Sequence, residues 1–279
     1  MVVWPPPEER RAPNPNARLI VIAAVAAVII IVVGAVGVAL ELAAGRSNQA
    51  TAAALKAKSS PGPVGATTPL TAKTGTSVFS DDFHDPRSGW DTFSNFGIVD
   101  YAYSNGSFVI TASGDFRYWN PSPYSEPKEQ ISASVTATLD AHSPSDAGFG
   151  IDCVRGSGTG RVRYEFSAYA GARWFVRRTV GESSTSSTHT LAQGSLGSAS
   201  IAGLTPITLV GVCATAADGV TTRLALFVDG RKLVDLTDRW LESWNQAWLC
   251  DLLTVASTTG PVTVTVTHFE ERDLSRSGP

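Results

Sequence analysis

The sequence predicts an all-β fold, an antiparallel β-sandwich, for most of its length. Short runs of alternating apolar and polar residues recur through the second two thirds of the chain, and a period of two marks strands with one buried face. Two pairs of these runs, IVDYAYS with SFVITAS and RLALFV with RKLVDL, meet at Asn105-Gly106 and Asp229-Gly230, the dipeptides that favour two-residue type I′ hairpins. No regular exchange of helix-period and strand-period segments appears, which argues against a doubly wound or barrel α/β domain.

The chain does not begin with this pattern. Residues 1–18, containing WPPPEERRAPNPN, hold too many prolines and too few apolar side chains to fold alone, and read as a disordered cytoplasmic tail. Residues 19–42 read as a transmembrane helix: Leu19 to Leu40 carries no charge, and as a helix it spans about 33 Å against a hydrocarbon core of about 30 Å. The run exceeds the roughly 7–15-residue core of a cleaved signal peptide, so it is expected to stay as a single anchor. Arg10, Arg11 and Arg18 before it and Arg46, Lys56 and Lys58 after it nearly balance. A short tail, one helix and then the bulk of the chain give the expected topology: N-terminus inside the cell membrane, C-terminal domain outside. Residues 43–76, rich in Ala, Ser, Thr and Pro, read as a flexible linker. Residues 77–273 form the expected domain and 274–279 a tail.

Within the domain, ISASVTATLDA, GFGIDCV, RVRYEFSAY, RWFVRRTV, ITLVGVCATA, LLTVAS and VTVTVTHF add further strands. The hairpin RVRYEFSAYAGARWFVRRT allows a register to be predicted. A three-residue loop at Ala170-Gly171-Ala172 sets Glu165 opposite Arg177, Phe166 opposite Val176 and Ala168 opposite Trp174. One face is then apolar and the other polar, whereas a two-residue loop would mix them.

The run FSDDFHDPRSGW, followed by a Tyr-rich Asn-Gly hairpin, GFGIDCV, YEFSAY, RWFVRR, ITLVGVC, LALFVDGRKLVDL and VTVTHFEE, resembles the concanavalin A-like lectin/glucanase superfamily. More narrowly it is similar to laminin-G-like extracytoplasmic modules of bacteria carried behind one transmembrane helix. The resemblance covers roughly residues 78–271 and implies a jelly-roll sandwich with Val78–Phe83 beside Val262–Phe269. It also implies that the strands bearing Cys153 and Cys213 come close, which would let them pair in an oxidising compartment. Cys250 is the odd cysteine, and all three connectivities stay open. Residues 237–251, TDRWLESWNQAWLCD, depart from the family pattern.

Candidate sites follow from side-chain chemistry. Sugar recognition needs a flat aromatic under a ring and hydrogen-bonding groups at its rim. The polar face of the hairpin offers Tyr169 and Phe175 flanked by Arg163, Glu165 and Arg177, against the alternative of a solvated face with a cross-strand ion pair. The segment DFRYWNPSPY reads as an aromatic loop in which Tyr118, Trp119 and Tyr124 either form a ligand platform or cover the core edge. Trp240, Trp244 and Trp248 recur every four residues behind Asp238, a candidate N-cap, so they align on one helix face as a partner-docking stripe or a cap on the sandwich. Asp81, Asp82 and Asp85 with Gly89 suggest calcium, but they match no EF-hand spacing and suit turns better. No Cys/His zinc spacing occurs, and no cofactor is expected.

Catalysis finds less support. Glycoside hydrolysis needs paired carboxylates. The ExDxxE strand of the glucanase branch is absent, and Glu165 has no evident acidic mate in the sequence. His84, His142, His189 and His268 sit in turns or at strand ends with no nucleophile pattern around them. Between Ser77 and Asp273 acidic residues outnumber basic ones, which disfavours nucleic acid and anionic lipid as partners. The expectation is a non-catalytic, membrane-anchored module for envelope or extracellular glycan. An envelope protein-interaction module and a glycan-processing hydrolase are the alternatives.

Overall fold

The structure, a computed structural model, describes residues 71–95, 97–157, 160–181, 187–197, 201–203, 205–239 and 247–275. The expected cytoplasmic tail, the membrane segment and nearly all of the linker lie outside the described residues. Among the described residues no helix is long and apolar enough to cross a membrane.

These residues form an antiparallel sandwich of two sheets. The nine-stranded sheet contains β1 (Thr76–Asp81), β2 (Phe93–Asn95), β3 (Val99–Ser104), β4 (Ser107–Ala112), β6 (Gln130–Leu139), β11 (Ile207–Thr215), β12 (Thr221–Val228), β13 (Arg231–Arg239) and β15 (Val262–Asp273). Its order is β13-β12-β11-β6-β15-β4-β3-β2, with β1 also on β15. The six-stranded sheet contains β5 (Arg117–Pro121), β7 (Gly148–Arg155), β8 (Val162–Tyr169), β9 (Arg173–Val180), β10 (Ser187–Ser195) and β14 (Leu249–Val255), in the order β10-β9-β8-β7-β14-β5.

Local chemistry accounts for the turns. Asn105 and Gly106, then Asp229 and Gly230, all adopt positive φ, the conformation that both central residues of a type I′ turn require. The β8–β9 hairpin has the three-residue loop and the predicted register, Glu165 opposite Arg177 and Phe166 opposite Val176. Ala172 takes the left-handed position that closes it.

Alternation then builds one core between the sheets. Ile110, Val135, Leu209, Val264 and Phe269 face Phe149, Ile151, Tyr164, Phe166 and Leu252, all buried in a single cluster. Burial of each such side chain contributes about 1.5–3 kcal/mol. The sheets approach closely at Gly211, where a Cβ would come within 2.5 Å of the Phe166 ring. A Cys153–Cys213 disulfide joins β7 to β11 across the sandwich, and Cys250 is buried as a free thiol.

Two expectations need correcting. The first and last strands do pair, but Thr76–Asp81 lies on Phe269–Asp273; Val262–Val266 is occupied by β4. A bulge between Val266 and His268 lets the long β15 serve both neighbours. Asp238 is not a helix N-cap. It belongs to β13, where it accepts hydrogen bonds from Tyr164 Oη at 2.8 Å and from Arg178 Nη1.

Candidate ligand-binding face

Strand register determines what the six-stranded sheet presents on the face turned away from the core. Glu165 lies opposite both Arg177 and Asp152, and Asp152 opposite Asp251. A row of chemistry-bearing side chains therefore runs across the strands as Thr190, Arg177, Glu165, Asp152 and Asp251. The next row carries Gln193, Phe175, Ser167, Gly150, Leu253 and Trp119. A third carries Ser195, Arg173, Tyr169, Gly148, Val255 and Arg117.

The charges on this face hold one another. Glu165 Oε1 accepts from Arg177 Nη1 at 2.8 Å and from Ser167 Oγ at 2.5 Å, and its Oε2 accepts from Arg117 Nε at 3.0 Å. Arg177 also donates to the Tyr169 hydroxyl, and its guanidinium lies 3.9 Å from the centre of the Phe175 ring. Arg163 donates to Asp251, stands 3.5 Å from Asp152, and sits 4.5 Å from the Trp119 ring centre. Tyr169 and Phe175 meet edge to face at 4.9 Å and pack over Leu253 and Val255. In low dielectric such a network is rigid, because moving any member strands another without a partner.

Asp152 is the exception. It is 1 % exposed, and neither carboxyl oxygen has a hydrogen-bond partner. Burial, then the negative charge of Glu165, pushes its carboxyl well above the usual carboxylate range, with Arg163 offsetting part of the effect and Asp251 adding to it.

The structure redistributes the residues singled out from the sequence. Arg163, Glu165, Tyr169, Phe175 and Arg177 do share one face, but Glu165, Tyr169 and Phe175 are buried. They form the floor of the face and not its surface. The aromatic loop is largely a strand, β5, so alternation separates its members. Trp119 faces outward and is 36 % exposed, while Tyr118 turns to the other side and its hydroxyl donates to the Ser113 carbonyl. Tyr124 stacks on Phe79 away from both.

The tryptophan stripe is not available as one surface. Trp240 and Trp244 lie outside the described residues, and Trp248 is fully buried, with Nε1 donating to Thr215 Oγ1 at 2.8 Å. The aspartates near the start of the domain bind their own turns. Asp81 accepts from the Phe83 amide, Ser88 Oγ and Trp90 Nε1, while Asp82 accepts from the His84 amide and Asp85 from the Arg87 amide. Among the described residues no group of three or more His, Cys, Asp or Glu is arranged to hold a metal ion.

Sequence reasoning missed Asp152, Asp251 and Arg117. The available signal was a lone aspartate in each of two apolar strands, GFGIDCV and LCDLL, because a carboxylate in such a strand is held by a partner or by function. The acidic mates of Glu165, which the sequence does not reveal, are Asp152 on the adjacent β7 and Asp251 on β14 beyond it.

No protein-family model and no curated protein matches this sequence. Solved structures do match it. Alginate lyase Aly36B superposes with a TM-score of 0.50 at 12% identity, over 70% of this chain and 96% of that one. The domain has the concanavalin A-like jelly-roll fold. Alginate lyase vAL-1 from Chlorella virus shares this jelly roll with a TM-score of 0.50 at 12% identity, over 71% of this chain and 100% of the other. The metal-free carbohydrate recognition domain of Emp46p is similar with a TM-score of 0.48 at 10% identity, over 74% of this chain and 99% of that one. At these identities the likeness carries the jelly-roll fold and no residue of a site.

Proposed function

We propose that this jelly-roll domain is a non-catalytic carbohydrate-binding module, displayed on the outer side of a bacterial membrane by the helix expected at residues 19–42. The observation that carries the reading is the exposed Trp119 ring lying on Arg163 beside a hydrogen-bonded arginine–carboxylate row. A sugar ring has an apolar face for the indole and a hydroxyl rim for the charges. At the opposite edge β10 adds the exposed polar groups of Thr190, Gln193 and Ser195. The disulfide supports an oxidising compartment.

Binding fits better than hydrolysis. Glu165 is buried, and three of its roughly four acceptor positions are taken by Arg117, Arg177 and Ser167, which commits its carboxylate to holding the sheet. Asp152 is buried beneath the face. A docking surface built on the tryptophan stripe loses Trp248 to the core.

The face is also more cationic than the domain. Arg117, Arg163, Arg173 and Arg177 outnumber Glu165, Asp152 and Asp251 there, four to three. Glycans carrying carboxylates therefore suit this face in a way the acidic composition did not suggest.

The test is retention of the full chain on insoluble bacterial envelope glycan, alginate gel and insoluble neutral β-glucan. Saturable retention on at least one, weakened about tenfold in Trp119→Ala, is expected, since one lost stacking contact removes about 1.4 kcal/mol. Thermal melting should be unchanged in the variant. Equal retention of both proteins overturns the assignment of the face.

A further inference from the structure

The large apolar side chains that stand open to solvent among the described residues, Phe93, Ile98, Phe116 and Trp119, gather in one region. Phe93 and Trp119 line a cleft of about 470 Å³ between β2–β3 of one sheet and β5 of the other. Ile98 and Phe116 stand near Ser113, whose carbonyl accepts from Tyr118 in the cleft wall. The volume falls within the roughly 300–1,000 Å³ of small-ligand sites. Both β2 and β5 end their sheets, so unpaired backbone groups border the gap as well.

One polar group in the cleft wall is incomplete. Asn120 is 2 % exposed, and its Nδ2 donates to the Asp91 carbonyl at 3.0 Å. That bond fixes which way the amide points and leaves Oδ1 buried with no partner. An unsatisfied buried carbonyl is unfavourable, and a ligand bearing an O–H or N–H donor relieves it. An acyl chain would not, whereas a sugar hydroxyl would, with its ring face resting on Phe93 or Trp119.

We propose that this cleft is a saccharide subsite distinct from the outer face, taking the sugar unit that follows Trp119, with a hydroxyl donating to Asn120 Oδ1. The proposal rests on the glycan-binding reading of the outer face. Trp119 is shared, since it belongs to the Gln193–Trp119 row and also lines the cleft. A glycan running across the strands from β10 to β5 therefore passes over Trp119 and enters the gap between the sheet edges. The site makes the protein read chain length as well as sugar chemistry.

Calorimetric titration of the full chain with di-, tetra- and hexasaccharides of alginate, of β-glucan and of peptidoglycan glycan strands tests this. The expected result is that affinity rises with length in the parent protein, and that Phe93→Ala, at a position 51 % exposed, loses about tenfold for the hexasaccharide and nothing for the disaccharide. Arg173→Ala, on the outer face alone, should weaken both. Hexasaccharide binding unchanged in Phe93→Ala overturns the cleft subsite and leaves the outer face standing. Disaccharide binding lost in Phe93→Ala and kept in Arg173→Ala overturns the outer face, and with it a subsite that continues from that face. No binding by the parent protein overturns both.

Discussion

Glu165 and Phe166 are adjacent on β8, and both are buried, yet they are held by opposite physics. Phe166 points into the sandwich, against the backbone of Gly211 on the facing sheet, and its position follows from non-directional apolar burial. Glu165 points the other way and is buried by three hydrogen-bond donors from three positions, Arg117, Arg177 and Ser167. The core face tolerates imprecise geometry as long as volume is conserved. The outer face works only if each donor meets its acceptor, because a missing partner leaves a charge in low dielectric. Burial alone therefore says little about role, and the difference between the faces lies in what the buried group demands of its neighbours.

Three substitutions probe that difference. The largest effect is expected from Phe166→Ala, which opens a cavity at the sheet interface and should cost about 4 kcal/mol by urea unfolding. A loss below about 2 kcal/mol would mean that the sheets collapse onto the gap and that the core face is looser than its packing implies.

The next concerns Glu271, a carboxyl at a core-facing position of β15, opposite Ala133 and two residues beyond Phe269. Burial pushes it up to about 7 from an ordinary 4.5, with a Ser122 hydrogen bond opposing and the Asp251 charge adding. Since the folded value is the higher one, the stability it allows is fully present below pH 4.5 and is lost as pH rises through about 7. Glu271→Gln removes the titration. It should exceed the parent by about 3 kcal/mol at pH 8 and match it near pH 4. A pH-independent difference would show that this carboxyl is satisfied as that of Glu165 is.

The smallest effect is expected from Glu165→Ala, about 2 kcal/mol by urea unfolding, because Arg117 is a third exposed and can turn to water while Arg177 cannot. A loss under about 0.5 kcal/mol would place the network with ordinary surface ion pairs.

Legibility followed the same division. The β8–β9 register was readable because a three-residue loop keeps Phe166, Ala168, Val176 and Trp174 on a common side and a two-residue loop does not, and the structure has that register. The Asn105-Gly106 and Asp229-Gly230 turns were readable because few residues accept positive φ. The outer face was half readable. Arg163, Glu165 and Arg177 lie on one predicted hairpin, but Asp152, Asp251 and Arg117 come from β7, β14 and β5, brought beside it by pairings between strands far apart in sequence. The same cause undid two aromatic readings. Trp119 and Tyr118 look equivalent in DFRYWNPSPY until β5 pairs with β14 and alternation sends them to opposite sides. Trp248 fits a four-residue helical spacing until its isolated bridge to Lys128 and its bond to Thr215 place it in the core.

The sequence by itself determined the all-β class, the two tight hairpins, the polarity of each face of β8 and β9, and the apolar run at residues 19–40. All of these depend on neighbours within a few residues, through period-two alternation, φ preference or local hydropathy. Only the tertiary structure decided which carboxylates gather around Arg163, that Trp119 faces outward above them, and that Asn120 is left with an unpaired oxygen at the gap between the sheet edges. Those outcomes depend on strand order and cross-strand register, which sum weak apolar contacts over the whole core and leave no short-range trace in the chain.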